Sequence, residues 1–163
     1  MLIREARLED LPAILDIYNE VIMTSSAVYC DNPVSLDDRR QWFESRQTQG
    51  YPVLVAEDDG EVIGFASFGD FRSYPGFRYT VEHSVHLAPQ ARGKGIGTEL
   101  VKALLPLARQ LGKHVMIAAV DGANQGSIRF HQRLGFVETA RMPQVGKKFG
   151  RWLDMVLLQI QLD

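Results

Sequence analysis

Two stretches of this chain place reactive residue types at spacings that chemistry uses. The first is Tyr79-Thr80-Val81-Glu82-His83-Ser84-Val85-His86-Leu87. Its alternation reads as a strand, so Glu82, Ser84 and His86 share one face while Val81, Val85 and Leu87 share the other. With the apolar set toward a core, Glu82 points the other way and is a candidate general base. A strand carboxylate also serves in plain salt bridges, so position alone leaves both roles open.

The second stretch is Pro89-Gln90-Ala91-Arg92-Gly93-Lys94-Gly95-Ile96-Gly97-Thr98, between that strand and a helix. Glycines let backbone N–H groups approach a ligand closely, and a helix start adds unpaired N–H groups and the positive end of a dipole. The combination suits a phosphate or pyrophosphate, with Arg92 and Lys94 adding charge. It is not a nucleotide P-loop, because Gly95 follows Lys94 where Ser or Thr is required. It is not a dinucleotide fingerprint either, because Thr98 stands where a third glycine belongs. The spacing that remains is Arg-x-x-Gly-x-Gly, at Arg92, Gly95 and Gly97.

Other residues are candidates for binding. Arg72 precedes the loop leading to the Glu82 strand, and a guanidinium grips a carboxylate with two hydrogen bonds; a solvated surface arginine is the alternative. Ser73, Tyr74 and Pro75 would shape the same pocket. Asn124 opens Asn124-x-x-Ser127-x-x-Phe130-His131-x-x-Leu134-Gly135-Phe136, where it is a ligand contact, a helix N-cap or both. Phe130, Leu134 and Phe136 read as core. His83 and His86 fall on opposite strand faces, and no ligand-spaced partner follows, so no metal site is expected. Cys30 reads as a packing residue.

The elements that must position these residues follow from the hydrophobic periods. Residues 1–7 read as a strand. From Leu8 a helix shows Leu11, Ile14, Leu15, Tyr18, Val21 and Ile22 on one face. Ser35 and Asp38 start a second helix through Trp42 and Arg46. Val53 to Ala56 and Val62 to Phe68 form a hairpin about Asp59-Gly60. After the Glu82 strand come a helix near Gly95–Leu111, a strand at His114–Val120 and a helix at Gln125–Leu134. Strands at Phe136–Val145 and Trp152–Leu162 end the chain. The order β-α-α-β-β-β-α-β-α-β-β predicts an α+β fold in one domain spanning 1–163: a mixed sheet with helices packed on it.

Composition narrows the class. The net charge is −2 over 163 residues with no block of like charge, which excludes a nucleic-acid surface. The longest strongly apolar run, Val115 to Val120, is too short to cross a bilayer. Arg4, Glu5, Arg7, Glu9 and Asp10 are incompatible with a signal peptide, and a single cysteine allows no internal disulfide. These features lead us to expect a soluble cytoplasmic protein.

The Arg92/Gly95/Gly97 loop, followed one strand later by the Asn124–Phe136 stretch, resembles the GNAT superfamily of acyl-CoA N-acyltransferases. Over nearly the whole chain the similarity is to the phosphinothricin N-acetyltransferase family, which includes acetyltransferases of methionine sulfoximine and methionine sulfone. Residues 17–20, Arg72, residues 79–85 and residues 145–154 carry it. The resemblance implies a twisted, mostly antiparallel GNAT sheet flanked by helices, with acetyl-CoA as co-substrate. It implies that Val85, His86 and Leu87 pair with the pantetheine arm where the strand splays from its neighbour. Arg92, Gly93, Lys94, Gly95, Ile96, Gly97 and Thr98 would hold the pyrophosphate, and Asn124 would contact the pantetheine. The implied acceptor is a small L-amino acid bound by Arg72, Ser73, Tyr74, Pro75, Glu82, His83, Ser84 and Tyr29. Glu82 would take the amine proton directly or through water. Two positions depart from the pattern: His86, usually Tyr in this family, and His131, where many GNAT enzymes use Tyr to protonate the leaving thiolate. His131 as an imidazolium, or a water, would fill that role. Members of the family are commonly homodimers.

Overall fold

The computed structural model describes residues 1–163. In chain order the elements are β1 (Leu2–Glu5), α1 (Leu11–Thr24), α2 (Leu36–Gln49), β2 (Val53–Asp58), β3 (Glu61–Asp70), β4 (Thr80–Leu87), α3 (Ile96–Gln110), β5 (Val115–Asp121), α4 (Gln125–Arg133), β6 (Val137–Lys148) and β7 (Arg151–Gln161). Type and order match the pattern read from the sequence. The first helix differs at its start, where Leu8–Asp10 form a 3-10 turn before α1. There the Asp10 carboxylate accepts from the Arg7 N–H at 2.7 Å and from Arg4 at 2.8 Å. α2 begins as expected, with Ser35 Oγ accepting from the Asp38 N–H at 3.1 Å.

All seven strands join one sheet in the order β1-β2-β3-β4-β5-β7-β6. Every neighbouring pair is antiparallel except β4 and β5. The β2–β3 hairpin turns on Asp59 and Gly60, both at positive φ. Apolar side chains bury both sheet faces. On one, Leu100 and Leu104 of α3 meet Phe68, Met116 and Val156. On the other, Ile14 and Ile17 of α1 and Phe43 of α2 meet Val55 and Phe65. The alternation of β4 is therefore shared between two cores rather than split between core and water.

Two features set the site. β4 pairs with β5 only at Thr80↔Val115, Val81↔Met116 and Glu82↔Ile117, and beyond these the parallel strands diverge. Lys148, 1 % exposed, donates from Nζ to the carbonyls of Ile22 at 2.7 Å, Ser25 at 2.7 Å and Val28 at 2.6 Å. That lysine ties the end of α1 and the segment after it to the last hairpin, and satisfies carbonyls a helix end would leave unpaired.

Candidate active site

A cavity of about 570 Å³ opens where β4 and β5 part. Residues Glu82 to His86 form one wall and Ala118 to Asp121 the opposite one. In an antiparallel pair, alternate residues turn their N–H and C=O groups toward the partner strand. The remaining groups of β4 past Glu82 face the gap, where β5 no longer reaches them. This is the open edge expected at Val85, His86 and Leu87, and an extended amide chain can pair with it as an added strand.

Glu82, Ser84 and His86 lie opposite Gly69, Ser67 and Phe65 of β3, on the face covered by α1 and α2. Glu82 is half-buried, and desolvation holds its carboxyl above the usual range. It makes no ion pair, so the salt-bridge role considered for it is not the one it plays. His86 packs edge-on against Tyr18, with ring centroids 5.6 Å apart, and against Phe65. Burial lowers its pKa to about 4, and the neighbouring Arg39 charge pushes in the same direction.

His83 points to the other face, beneath α4, and is buried there. Its Nε2 is 3.1 Å from Nε2 of His131, and Phe136 covers both rings. His131 Nδ1 lies 2.8 Å from the Ser127 carbonyl, which accepts only if that nitrogen carries the proton. Nε2 of a neutral His131 then accepts from Nε2–H of His83. Burial lowers the pKa of His131, and burial with its histidine neighbours takes His83 to about 3. Both rings are therefore neutral near pH 7, which disfavours His131 as an imidazolium donor.

The glycine-rich loop follows β4 directly. Gly93 and Gly95 take φ of 76° and 79°, with open space where a Cβ would stand. Gly95 caps α3 without a side-chain hydrogen bond, leaving the first N–H groups of the helix for a ligand. Gly97 rests against Phe130, and Ile96 is buried beneath the loop, with Thr98 following in the first turn of α3. Lys94 is exposed, whereas Arg92 turns back to Glu20 of α1 at 2.6 Å and to the Leu87 carbonyl. Asn124 caps α4 by accepting from the Ser127 N–H at 3.1 Å and also lines the cavity.

The acceptor side is arranged differently from the sequence reading. Tyr29 lines the cavity, anchored by a hydrogen bond to the Asp154 carbonyl at 3.0 Å. Arg72, Ser73, Tyr74 and Pro75 are exposed and lie outside it, with the Arg72 guanidinium over the Phe71 ring. The cations that reach the cavity come from α2: Arg39 and Arg46, with Trp42 between them. Sequence reasoning passed over them, although their spacing of three and four residues puts them on one helix face.

Residues 13–136 match the acetyltransferase (GNAT) family. The chain is 54 % identical to the L-amino acid N-acyltransferase MnaT of Escherichia coli, over all of this chain and 95 % of that one. It is 53 % identical to the L-methionine sulfoximine/L-methionine sulfone acetyltransferase of Salmonella typhimurium, again over all of this chain and 95 % of the relative. A phosphinothricin acetyltransferase from Sinorhizobium meliloti, solved with acetyl-CoA, superposes with a TM-score of 0.96 at 40 % identity, covering 99 % of this chain and 88 % of that one.

Proposed function

This chain belongs to the acetyltransferase (GNAT) family and uses acetyl-CoA, and from that premise we propose that it acetylates the α-amino group of small L-amino acids. Methionine sulfoximine, methionine sulfone and phosphinothricin, the substrates in the names of its relatives, are the leading candidates. The observation that carries this reading is Glu82: an unpaired, half-buried carboxylate facing a cavity walled by the open edge of β4.

The residues fit the cofactor on their own terms. The β4 edge offers backbone groups to the pantetheine amides, and the Gly93–Gly97 loop offers N–H groups to the pyrophosphate. Bound there, acetyl-CoA supplies an acyl group activated as a thioester. Glu82 accepts the ammonium proton of the acceptor, directly or through one water, because only the free amine is a nucleophile. N–H groups on the gap side of β4 are the donors available to the acyl oxygen as it gains charge. The walls hold two substrates in register, which supplies much of the rate gain. Water relays the proton taken by Glu82 to the departing thiolate, since burial biases His131 toward its neutral form.

By the same kinship we infer a homodimer, supported by the exposed Val145, Phe149 and Trp152 of the last hairpin; light scattering tests it. The activity is tested by thiol release from acetyl-CoA against the three analogues, ordinary amino acids, a polyamine, an aminoglycoside and a short peptide. Turnover with an amino-acid analogue is expected. Turnover confined to the peptide or the polyamine keeps the enzyme class and overturns the acceptor.

A further inference from the structure

Arg46 is a cation without a carboxylate partner beside the proposed base. Its Nε–H donates to Ser67 Oγ at 3.1 Å, and its two terminal nitrogens bond to no other protein group. A Cβ on Gly69 would fall 2.7 Å from the guanidinium carbon and from both terminal nitrogens alike. Equal distances to the three atoms mean that the guanidinium lies face-on over Gly69, a position open only because that residue lacks a side chain. Gly69 is the direct register partner of Glu82, and side chains opposed in this way stand roughly 5 Å apart at Cβ. Arg46 and Glu82 thus share one sheet face without forming an ion pair.

Arg39 reinforces the charge. Its guanidinium sits 4.1 Å above the Tyr18 ring and 4.8 Å from the Trp42 ring, steadied by Asp38 at 3.0 Å. Desolvation and the like charge of Arg39 both act against the ionised form of Arg46. Asp121, the other carboxylate of the cavity, is engaged by Ser26 and the Ala123 N–H. The cavity therefore holds a free carboxylate and a free guanidinium on one sheet face. An α-amino acid carries the complementary pair, an ammonium and a carboxylate on one carbon. We propose that Arg46, backed by Arg39, is the anion subsite of the acceptor pocket and receives the α-carboxylate while Glu82 receives the amine. The assignment of the carboxylate rests on the amino-acid reading above.

The test compares an accepted amino acid with its carboxamide. In Arg46→Gln, KM for the acid is expected to rise about 10- to 100-fold, as for loss of a charge-assisted hydrogen bond. KM for the carboxamide and for acetyl-CoA should stay within about threefold, and Arg46→Lys should recover part of the loss. Equal losses on acid and carboxamide, or an unchanged KM for the acid, overturn the assignment. So does an Arg72→Ala variant that shows the selective loss while Arg46→Gln does not. A second readout does not need turnover. With CoA bound, so that the pyrophosphate loop is filled, inorganic sulfate should raise the thermal midpoint saturably in the wild type and not in Arg46→Gln. If no amino acid is acetylated, the acceptor reading fails by itself, and the sulfate measurement alone upholds or removes the anion subsite.

Discussion

At the scale of single residues, the role proposed for Glu82 is open to direct test. Replacing it with Gln keeps the shape and removes the base, so turnover at saturating substrates should fall by about 10²-fold or more. Unchanged turnover would exclude it as the base. Because desolvation raises its pKa, kcat/KM should climb with pH through an ionisation above the ordinary carboxylate range, and this limb should vanish in Glu82→Gln. The face that Glu82 occupies was legible in the sequence, since a strand's period of two is local information. The arginines opposite it were not. α2 reads as a polar helix, and Arg39 and Arg46 point into a cavity only because Trp42 and Phe43 seat that helix against β3. Arg72 is the converse case: its residue type suits a carboxylate, but nothing local says whether its loop turns into the pocket, and in the structure it lies outside.

Among the elements, the glycine loop and the β6–β7 hairpin do separable work. Gly95 sits at φ 79° with open space where a side chain would project, so Gly95→Val strains the backbone without a clash inside the protein. It should abolish acetyl-CoA retention while the thermal midpoint drops only slightly; tight binding in calorimetry would remove the loop from the cofactor site. Lys148 acts over a longer distance. Lys148→Met leaves three carbonyls without their donor and should cost about 3 kcal/mol or more in chemical denaturation. Ala27, Val28 and Tyr29 line the cavity next to those carbonyls, so KM for the acceptor should rise more than KM for acetyl-CoA. The loop was readable because its motif is contiguous, whereas the lysine joins residues more than a hundred positions apart.

Taken as a whole, the molecule should be sensitive to acid. His83, His86 and His131 are buried with lowered pKa values, so the unfolded chain binds protons below about pH 6.5 that the native state does not. Stability is complete above that value and declines as pH falls toward the native values of about 3 for His83 and about 4 for His86. For His86 alone the loss at pH 4 is about 3 kcal/mol. His86→Tyr, which cannot titrate in this window, should flatten the acid side of a stability-versus-pH curve; an unaltered slope would place the effect elsewhere. The parting of β4 from β5 has a mechanical consequence as well. Three residue pairs are all that join these two strands directly, so the sheet should behave as two plates sharing a short hinge beneath α3. Amides of β4 on the gap side should exchange with deuterium quickly in the free protein and slowly once CoA bridges the plates. The cofactor would then act as a splint as well as a reactant, and amino acid should dock productively only after the hinge is braced.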